Sequence, residues 1–151
     1  MVVAVAFDHR GIVLRDAVIG ELERLGAEVL DLGADRPEPR VDYPDKALEL
    51  GRAIRSGSAD RGVFVCSSGI GAAIAASKVD GIRAAVCHDG YSAHQGVEHD
   101  DMNVLCLGSG IVGESVVPEL VCAFLSAKFV AEGRYLTRLK KVERLEKMVD
   151  G

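Results

Sequence analysis

The sequence has 151 residues, of which 48% are hydrophobic and 27% charged, as in an ordinary soluble globular protein. Its 18 basic and 23 acidic residues give a net charge of −5, which argues against general binding to nucleic acid or to an anionic membrane. No apolar run approaches the ~20 residues of a membrane span, and the first ten residues lack the pattern of a signal peptide. We therefore expect one cytoplasmic domain over residues 1–151.

Apolar runs of strand length alternate along the chain with segments of helical periodicity. The predicted strands are 2–7, 27–33, 61–66, 81–87 and 103–108. The predicted helices are 11–26, 45–57, a helix after the loop at 66–71, another near 91–98, then 113–129 and the charged terminal stretch 134–151. This alternation predicts an α/β fold with a three-layer, doubly wound (Rossmann-like), mostly parallel sheet of five strands and helices on both faces.

The terminal stretch has an apolar side for which two partners are possible. Its members recur at helical spacing and are Leu136, Leu139, Val142, Leu145 and Val149. This side packs either on the sheet of its own chain or on a second subunit, and the sequence leaves both alternatives open.

Residues that directly follow a predicted strand are candidates for a site, because ligands of doubly wound sheets bind at the carboxyl ends of the strands. These residues are Asp8 and His9, the loop around Tyr43, the loop 66–71, His88 with Asp89, and residues 108–110. The sequence context of His88 and His94 gives no reason to assign either histidine a role.

The loop after the third strand, CSSGIG at 66–71, has the most informative local pattern. Gly69 and Gly71 let the backbone turn sharply and let an anion approach the free N–H groups at a helix start. A helix N-terminus also stabilises a nearby thiolate, which is a chemical reason for cysteine at position 66. The alternative is a tight strand-to-helix turn that binds nothing.

Two better-known loops are excluded by spacing. A tyrosine phosphatase needs arginine where this chain has Ala72, and a nucleotide-binding P-loop needs its lysine earlier than Lys78. The four cysteines are spread singly, which is poor spacing for zinc. A thiol that acts as a base beside an anion-binding loop remains possible.

Two further features could bind an anion. His99 lies in the acidic stretch VEHDDMN, and Arg134 and Arg138 are four residues apart, on one face of a predicted helix. Two guanidinium groups on one face suit a phosphate. The alternatives are a surface histidine at a helix end and ordinary surface arginines.

Six stretches carry a family pattern and span nearly the whole chain in the family's order: AFDHRG (6–11), VDYP (41–44), CSSGIGAAIAASKVDGIRAAVC (66–87), YSA (91–93), EHDDMNVLCLGS (98–109) and GRYLTR (133–138). Together they resemble the ribose-5-phosphate isomerase B family, which also includes the galactose-6-phosphate isomerase subunits. The resemblance implies an enzyme that interconverts an aldose phosphate and its ketose through a cis-enediolate, without a metal or another cofactor.

The resemblance also implies roles for individual residues. Cys66 would be the base that moves a proton between C1 and C2 of the sugar. Ser68 and Asp8 would handle protons on the sugar oxygens, and His99 would help to open the ring. The residues implied in substrate binding are His9, Tyr43, Ser67, Gly69, Ile70, Gly71, Asp100, Arg134 and Arg138; of these, the histidine and the two arginines correspond to phosphate contacts.

The implied partners are a small-molecule sugar phosphate and further copies of the chain. The family forms homodimers or homotetramers in which a neighbouring subunit completes each site, commonly through the segment that carries His99. A non-catalytic binder of sugar phosphates or nucleotides on the same fold is the alternative function. A flavodoxin-like interaction module has less support, since it needs no cysteine, aspartate or histidine at the strand ends.

Three positions depart from the family pattern. Gly110 stands where members that act on pentose phosphates often have arginine, Asp100 stands in place of asparagine, and Ser67 in place of glycine. The first two changes weaken anion binding at the expected place, because an ionised carboxylate cannot donate a hydrogen bond to phosphate. We therefore expect that the substrate differs from ribose 5-phosphate, with a four- or six-carbon sugar phosphate as the candidate.

Overall fold

The computed structural model describes residues 1–148, and within them strands and helices alternate. The strands are β1 (Val2–Phe7), β2 (Glu28–Asp31), β3 (Arg61–Cys66), β4 (Ala84–Val86) and β5 (Val104–Gly108). The helices are α1 (Arg15–Arg24), α2 (Tyr43–Arg55), α3 (Ile70–Ala76), α4 (Gly90–Asp100), α5 (Val117–Ser126) and α6 (Gly133–Met148). Short 3₁₀ turns at Gly11–Leu14 and Glu114–Val116 precede α1 and α5.

The five strands form one parallel sheet in the order β2-β1-β3-β5-β4. Parallel neighbours need a crossover connection, and a helix supplies it between successive strands. In this register Phe7 lies opposite Val65, and Cys66 lies opposite Gly108. The last residues of β1, β3 and β5 therefore lie side by side at one edge of the sheet, here called the carboxyl edge; the opposite one is the amino edge. This arrangement confirms the predicted doubly wound α/β fold.

Side chains of the strands alternate between two buried cores, as expected for a parallel sheet covered on both faces. Val63 and Val65 of β3 point to the core shared with α1, α4 and α5. Phe64 and Cys66 point to the core shared with α2 and α3. The thiol of Cys66 thus lies on the α2–α3 face of the sheet, and α3 begins four residues after it.

The predicted helix 113–129 is too long at its end. The structure ends α5 at Ser126, with Ala127 in an extended conformation. The guanidinium of Arg61, at the start of β3, donates hydrogen bonds to the carbonyls of Phe124 and Ala127, the second at 2.8 Å. These bonds satisfy carbonyls that a helix end leaves without partners. Because Arg61 is distant in sequence, the apolar periodicity of the helix could not reveal this end.

The fourth strand is shorter than the predicted 81–87. The N–H of Ile82 donates to the carbonyl of Val79 at 3.0 Å, so this residue belongs to a turn and not to the ladder. The strand pairs with β5 only from Ala84 to Val86.

The apolar side of α6 is only partly covered by its own chain. Leu139 is buried, whereas 43% of Val142 and 61% of Leu145 are exposed. Val149, the last member of the predicted apolar side, lies outside the described residues. Among residues 1–148, none of the helices combines the length and the apolarity that a membrane crossing requires.

Candidate active site

The carboxylate of Asp8 follows β1 and is held by the turn that it begins. The side chain is buried, and its Oδ1 accepts hydrogen bonds from the N–H groups of Arg10 at 2.9 Å and Gly11 at 2.7 Å. Gly11 allows this turn to lie against the central strand, because a Cβ at that residue would be 2.0 Å from the carbonyl oxygen of Val65. The turn therefore places the carboxylate next to the end of β3.

The thiol of Cys66 is the last side chain of β3 and is almost fully buried, with 4% exposed. Its Sγ accepts a hydrogen bond from the N–H of Gly69, with 3.1 Å between nitrogen and sulfur. Gly69 precedes the first residue of α3 and has a φ of +78°, a conformation that other residues adopt only with strain. The predicted turn at a helix start is thus present, and one of its N–H groups is directed at sulfur.

Close backbone packing fixes this loop on the neighbouring strand. A Cβ at Gly108 would be 2.6 Å from the carbonyl carbon of Ser68, and a Cβ at Gly69 would be 3.1 Å from that of Leu107. The N–H of Ser109 donates to the carbonyl of Cys66 at 2.8 Å. The loop therefore packs directly against the backbone of β5, because Gly108 has no side chain there.

Tyr43 lies beside the same loop, although it is distant in sequence. It is the first residue of α2, and its ring covers Gly71, where a Cβ would be 3.0 Å from the ring carbon Cζ. Its side chain is 41% exposed. The ring therefore packs against the first turn of α3 and is partly open to solvent.

The remaining predicted residues of this edge lie in the loops that follow β1 and β3. Ser67 and Ser68 are half-buried, Ile70 is exposed, and the N–H of Ile70 donates to the hydroxyl of Ser68 at 3.3 Å. His9 is half-buried, and its Nδ1 is buried without a hydrogen-bond partner among the described residues. We call Asp8, His9, Tyr43 and residues 66–71 the carboxyl-edge cluster.

Two other buried thiols, Cys87 and Cys106, are less acidic than an ordinary thiol. Burial raises the pKa of Cys87 to about 11, with a smaller contribution from the charge of Asp89. Burial also raises the pKa of Cys106 well above its ordinary value, and the neighbouring thiols of Cys66 and Cys87 add to the effect. Neither thiol has an N–H donor like that of Gly69 among the described residues. No group of three or more His, Cys, Asp or Glu side chains within residues 1–148 could hold a metal ion.

The other predicted residues form a second group, far from the first. His99 lies in the last turn of α4, and its ring stacks on Tyr135 with 4.4 Å between the ring centroids. The guanidinium carbon of Arg134 lies 5.0 Å from the centre of the Tyr135 ring, and the guanidinium donates a hydrogen bond to the Tyr135 hydroxyl at 3.0 Å. We call His99, Asp100, Arg134, Tyr135 and Arg138 the amino-edge cluster.

The direction of α4 separates the two clusters. The helix begins at Gly90, just after β4 at the carboxyl edge, and runs back along the sheet to Asp100. Nine residues of helix place His99 roughly 14 Å below that edge. The end of α4 meets the segment that follows α5, since the N–H of Val130 donates to the carbonyl of Glu98 at 3.0 Å. Within one chain, therefore, His99, Arg134 and Arg138 do not lie next to the thiol of Cys66.

Two residues of these regions were not predicted from the sequence as members of a site. Tyr135 lies between the two predicted arginines in sequence, and its contacts with His99 and Arg134 distinguish it. His88 was among the strand-end candidates, but no role was assigned to it. Its Nε2 accepts a hydrogen bond from the N–H of Gly108 at 3.0 Å.

Comparison with known proteins agrees with the fold and shows the family. The family model described as Ribose/Galactose Isomerase matches residues 3–142. The chain is 38% identical over 144 residues to ribose-5-phosphate isomerase B of Escherichia coli, which covers 95% of each chain. It is 37% identical over 131 residues to D-erythrulose-4-phosphate isomerase of Pectobacterium atrosepticum, covering 87% of this chain and 86% of that one.

A solved structure matches over nearly the full length. Ribose-5-phosphate isomerase B of Clostridium thermocellum superimposes with a TM-score of 0.94 at 41% sequence identity, covering 99% of each chain. The resemblance seen in the sequence is thereby confirmed. The chain belongs to the ribose/galactose isomerase family and is a sugar-phosphate isomerase of the aldose–ketose type.

Proposed function

We propose that Cys66 is the base that transfers a proton between C1 and C2 of the sugar phosphate, through a cis-enediolate. The observation that carries this proposal is the hydrogen bond from the N–H of Gly69 to Sγ at 3.1 Å. A backbone donor of this kind stabilises sulfur as a thiolate. Cys87 and Cys106, whose pKa values are raised by burial, have no such support.

The N–H groups of the 67–71 loop stabilise the enediolate oxygen. The N–H of Gly69 is directed at Sγ and that of Ile70 at the hydroxyl of Ser68, so the proposed donors to this oxygen are the N–H groups of Ser67, Ser68 and Gly71. The loss of one donor to a developing oxyanion costs about 3–4 kcal/mol in comparable sites. Asp8 and Ser68 lie at the same edge and exchange protons with the sugar oxygens in this proposal.

A complete site takes one cluster from each of two subunits. The carboxyl-edge cluster carries the proposed base, while the amino-edge cluster carries two guanidinium groups that suit a phosphate dianion. Since the clusters are far apart in one chain, the second set comes from a partner in a homodimer or a homotetramer. Exposed apolar side chains beside both clusters, Ile70 and Ile74 on α3 and Leu145 on α6, are surfaces that such a partner would cover.

Specificity in this family concerns the number of carbons in the sugar phosphate. Relatives of nearly equal identity carry names for a five-carbon and a four-carbon substrate, so overall identity does not decide between them. Gly110 leaves the loop after β5 without a side chain beside Ser67, whose carbonyl accepts the N–H of Gly110 at 2.9 Å. We propose that the preferred substrate is a sugar phosphate of four or six carbons, whose phosphate lies at a different distance from C1 and C2.

An exchange assay in deuterium oxide tests the function. Four-, five- and six-carbon aldose phosphates are incubated with the protein, and incorporation of deuterium at C2 and formation of ketose are measured. Turnover with exchange on at least one substrate supports the isomerase, and a preference for four or six carbons supports the proposed specificity. Binding without exchange throughout the panel would instead support the non-catalytic alternative. Efficient turnover of ribose 5-phosphate would contradict the proposed specificity alone.

A further inference from the structure

His88 has a hydrogen bond that defines its protonation. The residue follows β4 by two positions and is half-buried. Its Nε2 lies 3.0 Å from the backbone nitrogen of Gly108, and a backbone N–H can only donate. The Nε2 atom is therefore unprotonated, and the neutral ring carries its proton on Nδ1.

The imidazole takes the place of a strand carbonyl. Along β5, the N–H of Val104 donates to the carbonyl of Arg83 at 3.3 Å, and the carbonyl of Cys106 accepts the N–H of Cys87 at 3.3 Å. Gly108 is the next residue of β5 that faces β4, but the pairing of the strands ends at Val86 opposite Cys106. The side chain of His88 thus continues the ladder beyond the last residue of β4.

Gly108 supports the loop that carries the proposed base. On its other side it lies opposite Cys66, and a Cβ on it would be 2.6 Å from the carbonyl carbon of Ser68. The following residue of the loop, Gly69, donates its N–H to the thiol. A displacement of Gly108 therefore changes the position of the donor relative to sulfur.

We propose that His88 is a positioning residue for the reaction: it fixes the end of β5 and, through it, the N–H of Gly69 against the thiol of Cys66. This inference rests on the proposed function, because it matters for turnover only if Cys66 is the base. The N–H of Gly69 supports the thiolate form of the proposed base, on which the rate of proton removal depends, whereas none of the hydrogen bonds of His88 among the described residues involves a proposed phosphate ligand. Its loss therefore lowers kcat and leaves KM nearly unchanged.

Two amide variants of different length test the proposal. The amide of His88→Gln reaches the place of Nε2 and can accept the N–H of Gly108, whereas the shorter amide of His88→Asn does not. We expect His88→Asn to lower kcat about tenfold, with KM within about twofold, because the N–H of Gly108 loses its acceptor and the end of β5 is no longer held in place. Restoration of kcat by His88→Gln to within about threefold of the parent is the predicted rescue. His94→Gln, on an exposed part of α4, is the matched control and leaves kcat unchanged.

Each outcome decides between supporting and overturning the proposal. Equal kcat values for His88→Asn and the parent, or an equal loss for the Asn and Gln variants, would overturn it. A ¹⁵N spectrum of the parent protein must show His88 with its proton on Nδ1, and a proton on Nε2 would also overturn it. Cys66→Ala is assayed alongside. If this variant retains turnover, the proposed function fails. If Cys66→Ala is inactive while His88→Asn has the kcat of the parent, only the role of His88 is contradicted.

Discussion

The two clusters of this chain are built in different ways. In the carboxyl-edge cluster, backbone N–H groups hold Asp8 and Cys66, and both side chains are buried. In the amino-edge cluster, side chains of α4 and α6 hold one another by stacking, and Arg134 and Arg138 are exposed. Backbone hydrogen bonds at the end of the sheet fix the position of the carboxyl-edge cluster, which suits the proposed proton transfer. The second presents charge at the surface, as expected of a group that binds phosphate on a partner.

The largest predicted effect comes from removal of the proposed base in the carboxyl-edge cluster. Cys66→Ala is expected to lower kcat by about 10²- to 10⁴-fold, the usual contribution of a general base, without loss of the fold. Steady-state kinetics on the preferred substrate measure the effect, and circular dichroism checks the fold. Cys66→Ser, which keeps the volume and has a hydroxyl far less acidic than a thiol, should be nearly as inactive. Near-normal kcat in either variant would show that another group removes the proton.

A smaller effect, mainly on KM and less on kcat, is expected from substitutions in the amino-edge cluster. Arg134→Ala and Arg138→Ala each remove one proposed charged hydrogen-bond donor to phosphate, so KM is expected to rise about tenfold or more, with a smaller change in kcat. Lys140→Ala, an exposed change on the same helix, is the control and leaves KM unchanged. If kcat falls and KM does not, the arginines act on the reaction and not on binding.

A third effect, on stability, tests whether backbone packing fixes the position of the carboxyl-edge cluster. A methyl group at Gly108 would be 2.6 Å from the carbonyl carbon of Ser68, so Gly108→Ala must displace the loop. We expect a loss of about 1–3 kcal/mol in the free energy of unfolding, as in other overpacked sites, together with a lower kcat.

Gly20 provides the matched control for this substitution. It lies in α1, and a Cβ there meets no atom within 4 Å. Gly20→Ala is therefore expected to stabilise the protein by about 0.5–1 kcal/mol. Urea unfolding of both variants gives the comparison. Equal stability of Gly108→Ala and the parent would show that the loop does not depend on this contact.

The difference between the clusters also explains what the sequence could predict. The alternation of strands and helices and the position of Cys66 at a strand end follow from apolar periodicity and local glycines, so they were predicted correctly. The predicted end of α5 was wrong because Arg61, which stabilises the actual end, lies in another element. Short-range patterns cannot indicate a partner that is more than sixty residues away.

The separation of the predicted site residues into two clusters could not be predicted from local patterns, for a similar reason. A motif gives residue types and order, but the path of α4 decides that His99 is carried away from the carboxyl edge. Tyr135 has no distinguishing context until it stacks on His99. His88 could have been identified only from the strand register, because its partner is a backbone N–H and not a side chain.

The central claim is that each site is shared between two chains, and hybrid dimers test it most directly. One chain carries Cys66→Ala, the other carries Arg134→Ala with Arg138→Ala, and two different affinity tags allow purification of the hybrid. If the clusters meet across a two-fold interface, the hybrid has one intact site and about half of the parental kcat/KM, although each homodimer is nearly inactive.

The reciprocal hybrid joins a parental chain to a chain that carries all three substitutions, and a shared site predicts almost no activity for it. An inactive first hybrid together with a half-active reciprocal hybrid would contradict the account, because both clusters would then serve the same site within one chain.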